Sequence, residues 1–389
     1  MEQTIEIETV YLDHAATTPM DPRVVEAMLP YLYAHFGNPS SMYGVGRTAR
    51  AAIDRAREDV AAALGARPTE IVFTSGGTES DNAAIKGVAM ARQHEGNHII
   101  TAATEHHAVL HTCEWLERLG FETTVLPVNC YGQVDPDEVE RAIRPTTTLI
   151  TLMYANNEIG TIHPLAAIGK IAQRRGVTFH TDAVQAGGAL PIDVDTLGVD
   201  LLSLSAHKFY GPKGSALLYA RRGTPWLPQQ PGGGQERGRR SGTENTAGIV
   251  GLATALRLSV ESMESTAAHC ARLRDRLRDE LTRAIPDVSL NGHPTERLPN
   301  NLNLSFRGVD GESWLLNLDM HGIAATSGSA CTAGSLDPSH VLTALGLSRE
   351  LAQGSLRLSV GRDTTDAHID RALAVLPAVV TKLRSLSTV

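Results

Sequence analysis

The sequence predicts an α/β protein: an open, mostly parallel sheet covered by helices on both faces, followed by a second, smaller unit. Three observations carry this expectation. Short apolar, β-branched runs recur between residues 71 and 219. Helix-period segments separate several of them. Past Ala220 the composition changes to a Gly-, Pro- and Arg-rich stretch and then to a long helical region. Alternation of strand and helix is the signature of a parallel sheet with crossovers on both faces. Such sheets place ligands beyond the carboxyl ends of their strands.

The expected strands are 71–74, 98–101, 123–126, 149–153, 177–180, 201–204 and 216–219, and the helix-period segments between them include 83–92, 107–119, 135–143 and 164–175. No strand or helix fits 225–245, which holds Gly232-Gly233-Gly234 and Arg237-Gly238-Arg239-Arg240-Ser241-Gly242. A long loop inside a compact domain is usually functional. Residues 246–284 read as one helical region, and 302–306 and 356–360 as strands of the smaller unit.

With 389 residues, 42% of them hydrophobic, the chain has ample material for a core, which excludes global disorder. No run approaches the ~18 apolar residues of a membrane span. The acidic start, Met1-Glu2-Gln3-Thr4-Ile5-Glu6, reads as neither a secretory signal nor a transit peptide. A net charge of −8 and only 4% aromatic residues argue against a nucleic-acid binder. Cys113, Cys130, Cys270 and Cys331 form no C-x-x-C pair, so reduced thiols in a cytoplasmic chain are expected.

Several motifs lie where strands end. Ser75-Gly76-Gly77-Thr78-Glu79-Ser80-Asp81 follows a strand and precedes a helix. Its glycines and the helix start suit a phosphate cradle, with Thr78 and Asp81 as a capping box, or else an ordinary Gly-rich turn. Asp182 ends a buried strand, where it is either a helix cap or an acid facing a cationic ligand group. Lys208, in Ser205-Ala206-His207-Lys208-Phe209, lies between a strand end and a Gly-Pro turn. A desolvated lysine there is a Schiff-base nucleophile, and an Asp at the next strand end is what pyridoxal phosphate needs to keep its ring nitrogen protonated. In Thr104-Glu105-His106-His107, a histidine could stack on a flat ring. Alternatively His107 and His111, spaced i, i+4 near His106 and Cys113, could bind metal. Cys331 sits among small residues, Ser327-Gly328-Ser329-Ala330-Cys331-Thr332, so a reachable loop thiol is expected. The other three cysteines read as small buried hydrophobes.

In this combination and order the motifs, with Tyr11-Leu12-Asp13-His14-Ala15-Ala16, Gly37-Asn38-Pro39-Ser40-Ser41, Asn156-Asn157-Glu158-Ile159-Gly160, Asp182-Ala183-Val184-Gln185 and Arg240-Ser241-Gly242-Thr243-Glu244-Asn245, resemble the cysteine desulfurases of the NifS/IscS type. Those are class V aminotransferase relatives with the fold-type I architecture of pyridoxal-phosphate enzymes. The resemblance implies a large cofactor-binding domain over 17–258 with a seven-stranded sheet, and a smaller one from 1–16 and 259–389. It implies pyridoxal 5'-phosphate held as an imine on Lys208 and stacked by His106, which also shuttles protons. Asp182 would pair with the ring nitrogen, and Gln185 and Asn157 would serve the phenolic oxygen. Gly77, Thr78, Ser205 and His207 would hold the phosphate. Thr243 would reach the phosphate of the other subunit of a homodimer. Arg357 with Asn38 and Asn157 would bind the carboxylate of L-cysteine. Cys331 would take the sulfur as a persulfide and pass it to an acceptor protein such as an iron–sulfur scaffold. No intrinsic metal is implied, only transient cluster ligation by Cys331. Gln235 and the chain's end soon after Leu386 lean toward the NifS-like branch. A selenocysteine lyase or an aminotransferase of the same class is the rival reading, and a metal-binding module a more distant one.

Overall fold

A computed structural model describes residues 9–327 and 338–387. In chain order its elements are β1 (Val10–Tyr11), α1 (Pro22–Tyr33), α2 (Gly44–Leu64), β2 (Ile71–Thr74), α3 (Gly77–Ala91), β3 (His98–Ala102), α4 (His107–Glu117), β4 (Glu122–Leu126), α5 (Pro136–Ala142), β5 (Thr147–Thr151) and α6 (Leu165–Arg175). Then come β6 (Thr178–Asp182), α7 (Val194–Leu197), β7 (Leu201–Ser205), β8 (Ala216–Ala220), α8 (Thr246–Glu261), α9 (Met263–Ala284), β9 (Val288–Asn291) and β10 (Asn301–Phe306). The chain continues through α10 (Gly311–Met320), β11 (Ile323–Ala324), α11 (His340–Ala344), α12 (Arg349–Gln353), β12 (Ser355–Ser359) and α13 (Asp366–Ser387).

Among the described residues the main sheet has seven strands in the order β2-β8-β7-β6-β5-β3-β4. β8 runs antiparallel to both neighbours and the other pairings are parallel. β3, β5, β6, β7 and β8 are buried along their whole length, so their apolar runs are continuous rather than alternating. One apolar cluster packs α2, α6 and α8 on one face, with Phe179, Leu204 and Tyr219 among its members. A second packs α3 and α4 on the other, around Ile85, Val88, Val109 and Leu116.

A separate cluster gathers residues from both ends of the chain. Leu302, Leu304 and Phe306 of β10 and Leu356 and Leu358 of β12 pack there against α9, α10 and α13. Trp314 is fully buried, its ring edge-on to Phe306 at 5.0 Å. β1 pairs in parallel with β11, so the N-terminal segment joins this cluster through Val10 and Leu12.

Some local expectations differ from the structure. The region 246–284 is two helices, because Ser262 leaves helical geometry (φ −103°, ψ 5°). The helix after β2 begins at Gly77, not near residue 83. Its N-cap is therefore Gly76, which makes no side-chain cap bond, and Thr78 and Asp81 lie inside the helix rather than forming a capping box. The 225–245 stretch is irregular apart from a short turn at Gln235–Gly238. β9, β1 and β11 are short and partly exposed, and their composition carries little strand signal. Cys113 and Cys270 are buried and free, but Cys130 is exposed, because it lies in the turn before Gly132 rather than in an element. No helix among the described residues is long and apolar enough to cross a membrane.

Candidate active site

A cavity of about 330 Å³ opens where β6 and β7 end, a size that suits a small ligand. Before residue 209 its wall takes residues from six places in the chain: Ala15 and Ala16; Gly77, Thr78 and Asp81; Glu105 to His107; Met153, Ala155, Asn157 and Glu158; Asp182, Val184 and Gln185; and Ser205, His207 and Lys208. His340 and Arg357 complete it from the C-terminal part of the chain.

Strand geometry explains the floor. Asp182 is the last residue of β6 and Ser205 the last of β7, and the two strands are neighbours. A tight helical turn at Ala206–Lys208 then swings Lys208 over the sheet end. Lys208 Nζ donates to the carbonyls of Ala15 and Ala16 at 2.7 and 2.8 Å. Gln185 Nε2 donates to Ala15 O as well, at 3.0 Å. Asp182 is buried, and Oδ1 accepts from Val184 N at 2.9 Å. Burial is the largest influence and leaves its carboxyl raised, with His106, the Val184 N–H and Lys208 partly offsetting it.

α3 begins at the cavity with its first N–H groups unpaired within the helix. A Cβ at Gly77 would meet Val184 Cγ2 at 2.8 Å, so only glycine leaves the backbone open there. Ser205 and His207 stand on the same side. Burial pushes His207 down to about 4, so it is neutral near pH 7, with Nδ1 3.1 Å from Thr17 Oγ1. Thr78 is exposed at the rim.

His106 caps α4, and its Nδ1 accepts from Ala108 N at 3.1 Å. The amide can only donate, so the neutral ring carries its proton on Nε2. Asn156 folds the turn that brings Asn157 and Glu158 to the wall. Its Oδ1 accepts from Glu158 N and Ile159 N, and its Nδ2 donates to Thr104 O at 2.8 Å. Glu158 is buried and accepts from Ser339 Oγ at 2.5 Å, and burial raises it to about 7.

Arg357, 2% exposed on β12, donates to Asn157 O and to Asp13 Oδ1, each at 2.8 Å. Its Nε has no hydrogen-bond partner among the described residues. A guanidinium at the cavity wall suits a ligand carboxylate.

The cavity thus unites Gly77, Thr78, His106, Asn157, Asp182, Gln185, Ser205, His207, Lys208 and Arg357. Asn38 and Thr243 are exposed and outside its wall, and Asn38 Oδ1 accepts from Ser40 N. Cys331 lies outside the described residues. His107 and His111 pack ring to ring at 5.0 Å, but the described residues hold no group of three metal-ligating side chains, and Cys113 is buried and pushed up to about 12. Sequence reasoning missed Asp81, Glu105, Glu158, His340 and the carbonyls of Ala15 and Ala16. Only the Asp13-His14-Ala15-Ala16 run, a charged pair before two small residues, offered a signal for the last of these.

Residues 10–372 match the sequence profile of the family described as aminotransferase class-V. The chain is 56% identical over 382 residues to cysteine desulfurase IscS of Methanosarcina thermophila, covering 98% of this chain and 94% of that one. A solved structure described as a NifS-like protein superposes with a TM-score of 0.89 at 37% identity, covering 98% of this chain and 99% of that one. Another, SspA in complex with cysteine, does so with a TM-score of 0.81 at 40% identity, over 91% and 99%.

Proposed function

For this chain, which belongs to the class-V aminotransferase family and within it is a cysteine desulfurase, we propose that Lys208, Asp182, His106 and Cys331 are the working residues. The observation that carries the reading is Lys208 Nζ, held at 2.7 and 2.8 Å by the carbonyls of Ala15 and Ala16, in the same cavity as a buried Asp182 from the neighbouring strand end.

Membership of the family implies pyridoxal 5'-phosphate, and the residues present fit it. The open backbone at Gly77, the free N–H groups of α3, Thr78, Ser205 and His207 suit its phosphate. Asp182 suits the ring nitrogen, His106 the ring face, Gln185 and Asn157 the phenolic oxygen, and Lys208 the aldehyde. When bound, the cofactor supplies an electron sink for the charge left on the substrate's carbon.

The chain's own groups do the rest. Arg357 orients the carboxylate of L-cysteine, and Asn157 flanks it. Lys208 Nζ takes the α-proton, and Nε2 of His106 carries protons at the opposite face. The Cys331 thiolate attacks the substrate sulfur. An S–S bond forms, the Cβ–Sγ bond breaks, and its electron pair stays with the carbon, which takes up a proton and leaves as L-alanine. The persulfide on Cys331 passes its outer sulfur to an acceptor protein, such as an iron–sulfur scaffold.

The working unit is a homodimer on this reading. Leu32, Tyr33, Phe36, Met42 and Tyr43, at the end of α1 and in the connection to α2, are exposed large apolar side chains, and such a cluster suits an interface. Arg50 of α2 pairs with Glu244 beside Thr243, at 2.5 Å, so the apolar surface and the Thr243 loop are tied together. Thr243 then serves the partner's phosphate, and Asn38 acts only through the partner copy. Two bodies, 17–258 and 1–16 with 259–389, are supported by the separate apolar clusters. Unpaired Cys113, Cys130 and Cys270 support a reducing, cytoplasmic setting.

Borohydride reduction of the coloured protein, followed by peptide mass mapping, tests the reading. The reduced cofactor is expected on the Lys208 peptide, and its recovery on another lysine overturns the assignment. Cys331→Ala keeps the colour and loses cysteine-dependent sulfide release. Full release from that variant removes Cys331 from the mechanism.

A further inference from the structure

Three carboxyl groups are buried around one end of the cavity. Asp81 of α3 is 1% exposed, Glu105 after β3 is 0%, and Asp182 is 7%. All three line the same cavity. The negative charge of Asp182 bears on both of the others, and Glu105 bears on Asp81. Buried carboxyls that bear on one another are costly to ionise together, because each charge raises the cost of the next.

Their surroundings differ. Asp182 faces Lys208 and His106 and accepts a backbone N–H from Val184. Asp81 faces neutral groups: Ser203 and His180. His180 is fully buried, with Nδ1 2.8 Å from Thr151 Oγ1 and Nε2 3.1 Å from Ser203 Oγ and 3.7 Å from Asp81 Oδ1. Desolvation pushes that imidazole down to about 3, so it brings no charge. Asp81 Oδ1 has no hydrogen-bond partner among the described residues. Glu105 accepts from Met153 N through Oε1 at 2.9 Å, and its Oε2 has no partner among the described residues. Burial drives all three carboxyls upward, and only at Asp182 do Lys208 and His106 work against it.

We propose that Asp81 and Glu105 are positioning residues that each hold a proton as a neutral acid, leaving Asp182 the one ionised carboxylate of the three. This rests on the reading of Asp182 as the partner of the cofactor's ring nitrogen. Two neutral acids beside Asp182 keep its charge from being shared or repelled, so the charge is spent on the ligand. Were Asp182 to take the proton, the ring nitrogen would lose its counterion.

Infrared spectra of the full-length holoenzyme at pH 8 test this. Two protonated-carboxyl C=O bands are expected, both shifting in D2O, and this needs no variant. Asp81→Asn and Glu105→Gln each remove one band. Absence of such bands at pH 8, or survival of both in Asp81→Asn or in Glu105→Gln, overturns the proposal. Cofactor affinity is read separately: Asp182→Asn is expected to raise the dissociation constant ~10–100-fold, the worth of a charge-assisted hydrogen bond. An unchanged constant with both bands in place overturns the role given to Asp182, and with it the purpose of the two protons.

Discussion

Two buried charge arrangements sit against the same sheet, and they are resolved in opposite ways. Arg57 of α2 and Glu236 form a charge-matched pair, in which only Arg57 Nε lacks a hydrogen-bond partner among the described residues. The guanidinium makes two bonds to the carboxylate at 2.7 and 2.8 Å, donates to Ile71 O and lies 4.7 Å over the Phe73 ring, and Glu236 also accepts from Phe73 N. The cavity carboxyls, Asp81, Glu105 and Asp182, have no comparable match, and two of them keep an unpaired oxygen. A buried charge closed by the chain itself is architecture. A buried charge left open marks where a ligand or a proton completes it.

The matched pair also holds strain. Glu236 and Arg237 adopt φ of 48° and 60°, left-handed values that cost a non-glycine residue about 1–3 kcal/mol each. The 225–245 loop keeps this shape because Glu236 is anchored to Arg57, and Arg240 is anchored to Glu79 at 2.9 Å. The segment that carries Thr243 is therefore held from two points.

This contrast can be broken by experiment. The largest effect is expected from Glu236→Ala, which strands a buried guanidinium and should cost about 3–5 kcal/mol in chemical denaturation. The kcat of the folded fraction should stay near wild type. A loss of kcat matching that of Asp182→Asn would erase the distinction between architecture and site.

Glu158 comes next. Its folded pKa is raised to about 7, so the folded state binds the extra proton and stability falls as pH rises from about 4.5 to 7. Glu158→Gln should remove that slope, on the order of 3 kcal/mol across the window. Melting curves at pH 5 and pH 8 that keep the wild-type difference would show Glu158 ionised throughout.

Arg357→Lys should raise KM for L-cysteine ~10–100-fold with a smaller change in kcat, because an ammonium cannot keep Asn157 O and Asp13 while serving a carboxylate. Steady-state kinetics check this, and an unchanged KM removes Arg357 from substrate binding. The smallest effect belongs to the double variant Arg57→Met/Glu236→Leu, which is expected to unfold near the wild-type denaturant midpoint because both charges leave together. A double variant as unstable as Glu236→Ala would mean that the pair's geometry, and not charge balance, holds the loop.

Much of this was legible beforehand for a local reason. Lys208, Asp182, Ser205 and His207 follow directly after apolar runs, so recognising a strand also locates the residue at its end. Asp81 was misread because a helix start had to be placed from residue types, and the chain entered α3 at Gly77. Glu158 and Ser339 lie 181 positions apart, and nothing local tells either that it will meet the other.

The sequence by itself determined the alternation of strand and helix, the sheet's buried character and the residues at the ends of β6 and β7, because period and composition act over a few residues. Only the tertiary structure decided which distant groups share the cavity. It brought Asp13, Ala15 and Ala16 to Lys208 and Arg357, and it set Asp81 and Glu105 beside Asp182 without a counter-charge. Desolvation and hydrogen-bond matching are properties of the packed chain, so which of these acids keep their protons is decided when the chain folds.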